Sequence, residues 1–439
     1  MTRLRIPRAL VAVGCLLLLL LASALDAQTL SSMERERGRT MLRQVRAQIE
    51  ANFYDAGFNG LNLDARAAHA DSIIRHATSL GEMFAAIAAL TMEMEDSHTF
   101  FVPPWQTTEV IYGWDMTIVG DSAFVSEVEP RSDAERAGVR VGDRVLLVNG
   151  HVPTRGNLWS MWYVFRALRP QPGLRVVMRA PGGEPRQLDL AAQVRQRFRV
   201  IDLTRPGGGH DIHTLIREAQ NEADEMRPRF ARVGDVLVWK LPSFEASEEQ
   251  VRQGLRRARE SRALVLDLRG NGGGSVSLLL SLLGGMSADS MVVGMQRERR
   301  RQVPMVARGA GANAFTGELV VLVDSRSASA AEIAARTVQL TGRGVVLGDR
   351  TAGAVSRGRM VPLRMGAERV VMFGVLVTDA RLLMRDGADL EGVGVLPDTL
   401  ILPTAEQLAA GEDPVLAAAL TRLGQPTNPA AAGALLPGN

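Results

Sequence analysis

The sequence predicts an α/β protein in which an N-terminal helical region and an inserted β module precede a layered core of alternating strands and helices. Three observations carry this. From about Val233 to Leu423, short continuous Val/Leu runs alternate with helical stretches, the texture of a sheet covered on both faces. From about Thr29 to Glu95, apolar residues recur at helical spacing, as in Met41, Val45, Ile49 and Phe53. From about Ile111 to Leu190, brief β-like runs are separated by Gly, Pro and Asp.

The 439 residues are 46% hydrophobic, enough for two or three packed domains and too apolar for a disordered chain. Of 51 basic residues all but Lys240 are Arg, and Cys15 is the single cysteine. A disulfide framework, a cysteine-based zinc site and a cysteine nucleophile in the folded body are excluded, as is chemistry needing several lysines.

Residues 1–27 read as a secretory signal peptide. Arg3, Arg5 and Arg8 precede an apolar run from Ala9 to Ala22, and Ser23-Ala24-Leu25-Asp26-Ala27 offers a small-residue cleavage site. This predicts a secreted or periplasmic protein, with an uncleaved N-terminal membrane anchor as the alternative. Cys15 leaves with the signal. So do three Arg and one Asp, which leaves 48 basic and 47 acidic residues, a net charge of +1. No basic stripe interleaved with aromatics remains, so no nucleic-acid partner is expected.

Residues 28–108 form the helical region, with two or three helices broken at Gly57 to Leu63. His69 and His76 read as ordinary helix residues there. Residues 109–195 form the β module. Its informative stretch, Ser132 to Gly150, reads as a short helix ended by Gly138, a turn at Gly142-Asp143, a strand, and the Asn149-Gly150 turn. It resembles a PDZ domain, which captures an extended peptide as an added strand and holds its terminal carboxylate on backbone N–H groups. The resemblance makes Tyr112, Gly113 and Trp114 the peptide-binding loop, although Asp115 departs from the usual apolar pattern.

Residues 196–232 read as a polar linker. His210 and His213 lie three apart within it, but no third metal ligand accompanies them. Residues 233–425 are the α/β core, and 426–439 read as a flexible tail.

Two turns of the core carry chemistry. Arg269-Gly-Asn-Gly-Gly-Gly-Ser275 closes a strand and opens an apolar helix, and such glycines can turn backbone N–H groups toward a substrate oxygen. No Gly-Lys-Ser/Thr follows, so it is not a phosphate-binding P-loop. In Asp324-Ser-Arg-Ser-Ala-Ser329-Ala-Ala-Glu332, a strand ends, serine is presented on a turn, and a small-residue helix begins. A serine there is either an N-cap or a nucleophile with an oxyanion-stabilising N–H behind it.

Together with Glu95-Asp-Ser-His98-Thr, Thr351-Ala-Gly353 and Glu391-Gly-Val-Gly-Val-Leu-Pro-Asp398, these segments resemble the family of C-terminal processing and tricorn-type serine peptidases. The resemblance implies a spiral ββα peptidase core of the ClpP/crotonase-like type, protein or peptide substrates, and no metal or organic cofactor. It makes Ser329 the nucleophile. Processing-type members carry a lysine base in the turn after the helix, where this chain has Ala354. The tricorn-type branch instead uses Ser–His–Ser–Glu, which maps onto Ser329, His98, Ser97 and Glu391. The oxyanion hole falls on the N–H of Gly274 (or Gly273) and of Ala330. Two other readings stay open: a non-catalytic peptide- or lipid-binding protein on the same fold, and a crotonase-like thioester enzyme. The serine motif argues against the latter. Lys240, the one other possible base, is expected at a surface or edge position.

Overall fold

The computed structural model describes residues 30–104, 108–196, 227–366 and 370–436. The signal segment with Cys15, and the linker pair His210 and His213, lie outside the described residues. Among the described residues no helix is long and apolar enough to cross a membrane.

The helical region contains α1 (Ser32–Asn52), α2 (Leu63–His76) and α3 (Leu80–Met92). Each starts on a side chain that accepts from the first turn: Ser31, Asn62 and Ser79. The stripe Met41, Leu42, Val45 and Ile49 of α1 packs with Ile74, Met83 and Ile87 in one core. A turn at Glu95–Thr99 then leads into β1 (Phe100–Val102).

The β module follows. β2 (Thr108–Ile111) forms its entry; β3 (Trp114–Val119), β4 (Ser122–Val128), the short α4 (Asp133–Arg136) and β5 (Arg144–Val148) come next. Then follow α5 (Leu158–Tyr163), β6 (Gly173–Arg179), β7 (Pro185–Ala191) and β8 (Gln193–Gln196). Strands β3 to β7 form one antiparallel sheet in sequence order, and β8 returns to pair with β2. Trp114, Met116, Ile118, Val125 and Val176 give this module its own core.

The catalytic-type core runs β9 (Arg229–Val233), β10 (Val236–Lys240), α6 (Glu248–Arg259), β11 (Ala263–Asp267), α7 (Val276–Gly285), β12 (Met291–Glu298), β13 (Gln302–Ala307) and β14 (Glu318–Val323). It continues with α8 (Ala330–Thr341), β15 (Val345–Gly348), the hairpin β16 (Ser356–Met365) and β17 (Val371–Met384), and β18 (Thr399–Leu400). Helices α9 (Ala405–Ala410), α10 (Pro414–Arg422) and α11 (Pro429–Gly433) end it. One sheet has the order β18-β15-β14-β11-β10-β9, parallel except for β9. Its inner strands β10, β11 and β14 are almost wholly buried and apolar because helices cover both faces. The second sheet is antiparallel: β1 and β12 pair with different stretches of β17, and β16 pairs along its other edge. The turns that join these layers place the site.

Three expectations are corrected. Residues 426–436 are not a flexible tail, because α11 docks on α10 and buries Ala432 and Leu436. The linker ends before Arg229, whose strand pairs with β10. Lys240 is neither exposed nor at an edge: it is 7% exposed, on a strand flanked by β9 and β11.

Candidate active site

Ser329 stands immediately before α8, with φ 54° and ψ −116°. A non-glycine residue in that region is strained by about 1–3 kcal/mol and persists only when its surroundings over-determine it. They do here. The Ser329 N–H donates both to Ala354 O (2.9 Å) and to Glu332 Oε2 (3.0 Å). One residue earlier, the Ala328 N–H donates to Asn271 O (2.9 Å). Ser327, fully buried, donates its hydroxyl to Leu268 O (2.8 Å) and accepts the Asp324 N–H (2.9 Å). The chain is thereby pinned on both sides of the serine.

Glu332 organises this corner. It is fully buried, and its carboxylate accepts from Thr351 Oγ1 (2.6 Å), Gly353 N (2.8 Å), Ala354 N (2.9 Å) and Ser329 N. Burial raises its carboxyl above the ordinary range, and the four donors pull it back. Sequence reasoning read Glu332 only as part of the serine motif. Its acidic residue at the third helix position, a capping-box signal, was the available clue.

The glycine turn meets the serine directly. A Cβ on Gly273 would lie 2.6 Å from Ser329 Cβ, and φ there is +100°. Gly273 spends its N–H on Asn271 Oδ1 (2.8 Å), whereas among the described residues no hydrogen bond engages the N–H of Gly274 or of Ala330. Of the two glycines first considered, Gly274 therefore has the free donor. Behind the turn, Arg269 is held by Asp267 and, through both Nη atoms at 2.8 and 2.7 Å, by Asp413 at the start of α10. Lys240 donates to Arg269 O (2.7 Å) and lies 3.4 Å from Asp267. Burial lowers the Lys240 ammonium, and Asp267 opposes this. Burial also works to raise Asp267, but Arg269 and Lys240 outweigh it and hold the carboxyl well below its ordinary value. Lys240 is thus a buried strut of the glycine turn.

His98 stands on the turn before β1. Its Nδ1 pairs with Ser97 Oγ at 2.8 Å, and the Ser97 N–H donates to Glu391 Oε1 at 2.8 Å. The carboxylate thus reaches the serine through its backbone, not through its hydroxyl. Glu391 Oε2 accepts from Val355 N (2.7 Å) and Ser356 Oγ (3.2 Å). Burial lowers the imidazole below its ordinary value, while Glu391 and Asp96 raise it.

The structure therefore assembles two groups, Ser329 with the glycine turn and His98 with Ser97 and Glu391. One turn joins them: Ala354 O holds Ser329, and the next residue, Val355, holds Glu391. Consecutive Cα atoms are only ~3.8 Å apart, so both groups meet the same few ångströms of backbone. Among the described residues, no hydrogen bond joins Ser329 Oγ to His98. Nor do the described residues contain a group of three His, Cys, Asp or Glu suited to a metal.

The loop Tyr112-Gly113-Trp114 differs from expectation in its side chains. Tyr112 and Trp114 are buried, and the Tyr112 hydroxyl donates to Phe165 O (2.9 Å). Only its backbone is left to meet a peptide. Asp115 is answered by Arg166, 3.2 Å away and stacked on Trp162.

A strained serine at a helix N-terminus, a free pair of N–H donors and a carboxylate-supported histidine define a serine-type hydrolase. The comparisons agree: residues 235–401 match the model of Peptidase family S41, and residues 124–179 match that of a PDZ domain. The α/β core thus carries a serine peptidase domain of family S41, and the β module is a PDZ domain. It is 25% identical over 410 residues to a chloroplastic C-terminal processing peptidase of Tetradesmus obliquus, covering 87% of this chain and 80% of that one. It is 31% identical over 153 residues to the tail-specific protease of Haemophilus influenzae, covering 34% of this chain but 22% of the relative. The fold is shared with mature CPAF complexed with lactacystin (14% identity, TM-score 0.62, 86% of this chain and 96% of that one). It is shared too with the photosystem II D1 C-terminal processing protease (19% identity, TM-score 0.52, 93% and 100%).

Proposed function

We propose that this S41 peptidase is a secreted or periplasmic enzyme that hydrolyses peptide bonds by a Ser329–His98 mechanism, with Ser97 and Glu391 behind the histidine. The carrying observation is the Ala354 turn. It touches Ser329, it has no lysine to offer, and its next residue grips the carboxylate that holds the His98 loop. Lys240, the one lysine, is engaged with Arg269 O and Asp267 behind the glycine turn.

In the reaction, His98 Nε2 takes the Ser329 proton as Oγ attacks the scissile carbonyl, then returns it to the leaving amine. Ser97 Oγ accepts from Nδ1–H and so fixes the tautomer, while Glu391 stabilises the imidazolium. The N–H groups of Gly274 and Ala330 receive the oxyanion, a contribution of ~10²–10³ in turnover for one such donor. Catalytic hydrogen bonds are commonly long in unliganded enzymes and tighten with substrate, which accords with the open Ser329–His98 pair. The PDZ domain takes the substrate's C-terminus as an added strand on β3, with the carboxylate at the Tyr112–Trp114 backbone.

The test compares Ser329→Ala, His98→Ala and Lys240→Ala on β-casein as an unfolded substrate. The first two are expected to abolish cleavage, and Lys240→Ala to weaken it by loosening the glycine turn. Full activity in His98→Ala, with complete loss in Lys240→Ala, would overturn the assignment.

A further inference from the structure

Asp96 has no part in the reaction just described, yet its carboxylate is completely removed from solvent two residues before His98. Its Oδ1 accepts from the His98 N–H (2.9 Å), from Thr99 Oγ1 (3.1 Å) and, in a short contact, from Thr378 Oγ1 on β17. Thr99 Oγ1 in turn accepts the Thr378 N–H (3.0 Å), so the turn is sewn to β17 from both sides. Its Oδ2 has no hydrogen bond; the nearest cation is Arg381 Nη1 at 3.8 Å, itself buried and without a hydrogen-bond partner. An unbonded carboxylate oxygen in the interior carries a desolvation cost that only a nearby positive charge offsets.

The arrangement is two-sided. Successive backbone amides of one turn donate to two carboxylates, Ser97 N to Glu391 and His98 N to Asp96. Glu391 holds Ser97, whose hydroxyl meets the imidazole, and Asp96 holds the backbone of His98 itself. We propose that Asp96 is a positioning residue for the peptidase reaction: it locks the His98 backbone to β17 and supplies a second negative charge that stabilises the imidazolium formed when Ser329 loses its proton.

The groups that face Asp96 are His98 itself, Arg381 and Tyr54, and Glu391, with Asp389 reached through Arg381. Burial raises the Asp96 carboxyl, and the Thr378, His98 and Thr99 donors oppose this. Its charge acts on His98 in the direction that favours the protonated ring. The inference rests on His98 being the base, so its test needs a readout that survives if that reading fails.

Asp96→Asn keeps the shape and the Oδ1 acceptor but removes the charge. Two measurements are made on the full chain. The first is the pH dependence of Ser329 labelling by an alkyl fluorophosphonate; the second is the NMR titration of ¹³C-labelled His98. In Asp96→Asn the His98 midpoint is expected to fall by about one pH unit. The maximal labelling rate should fall on the order of tenfold through lost orientation. Thr378→Val, which removes one anchor of the carboxylate while keeping its charge, should slow labelling with a smaller change in midpoint. An unchanged NMR midpoint in Asp96→Asn overturns the proposal, whatever happens to the rate. If His98→Ala still labels at the wild-type rate, the base assignment fails instead, while the NMR shift still reports whether Asp96 acts on the ring.

Discussion

Ser329 and Gly273 are fitted to each other at the scale of single atoms. A methyl group on Gly273 would lie 2.6 Å from Ser329 Cβ and 3.1 Å from its Oγ, and the φ of +100° disfavours any side chain. Gly273→Ala should therefore displace Ser329, the proposed nucleophile, and cut turnover of β-casein by ~10² or more, since even 1 Å of misplacement can cost that much. Its circular dichroism spectrum should stay native. The acid limb of activity is set at the same scale. As the proposed base, His98 would work only when neutral, and burial lowers its pKa despite the opposing charges of Glu391 and Asp96. The neutral base thus survives to lower pH than an exposed histidine would allow, and kcat/KM should fall on the acid side with a midpoint below ~6.5. Ser329 and His98 stand out in the sequence because each sits in a short, distinctive run. Asp96 and Glu332 lie in the same runs but were not singled out. A carboxylate's role depends on which distant donors face it, and the donors Thr378, Thr351, Gly353 and Ala354 come from other parts of the chain.

At the scale of elements, the site is held by helix starts. α8 begins at Ser329 with Glu332 facing back, and α10 begins at Asp413, whose carboxylate clamps Arg269 and so fixes the strand-to-glycine turn. Glu332→Gln replaces an acceptor of four donors with a group that presents its own N–H. Each lost bond at such a buried site costs about 1–3 kcal/mol. The loss should appear in urea denaturation together with a fall in kcat, because the strained Ser329 backbone loses its tether. Asp413→Ala leaves Arg269 half-paired in the interior. Breaking a buried pair in this way costs about 3–5 kcal/mol. The expected result is a lower urea midpoint and weakened fluorophosphonate labelling, although Asp413 lies 84 residues beyond the nucleophile in the chain. The alternation of strands and helices was readable from the Val/Leu runs. The packing of α11 was not. Its sequence, Pro-Ala-Ala-Ala-Gly, has too little apolar surface to announce a partner, and it is held by α10 and by the Asp413 N–H on Pro429 O (2.8 Å).

Across the whole molecule, the PDZ domain is joined to the catalytic layers at the site itself. Arg155 donates to Arg350 O (2.7 Å), to Gly120 O (2.8 Å) and to Asp349 Oδ2 (2.9 Å), and the Gly120 N–H donates to the same carboxylate (2.9 Å). Ser325 Oγ, four residues before the nucleophile, donates to Ile118 O on β3 (2.5 Å). On the other side, Trp159 and Tyr163 of α5 pack on Phe100, two residues after His98. The domain thus grips the flanks of both halves of the site. No sequence pattern foretold this grip, because Arg155 is one of fifty arginines and only its place in three dimensions distinguishes it. Its side chain is 12% exposed and that of Asp349 9%, so the pair is largely shielded from water. Arg155→Ala would leave Asp349 buried with only backbone donors, from Gly120 and Arg350, at a cost of about 3–5 kcal/mol. The PDZ domain has its own core and should stay folded while its docking weakens. Calorimetry of the full chain should then resolve an early transition for undocking or core loosening ahead of PDZ unfolding, where the wild type shows closer coupling. Turnover should fall with it, since Asp349 opens the turn that carries Thr351, Ala354 and the Glu391 contact. A melting profile and kcat identical to wild type would show that the aromatic contacts at Phe100 suffice to hold the two units together.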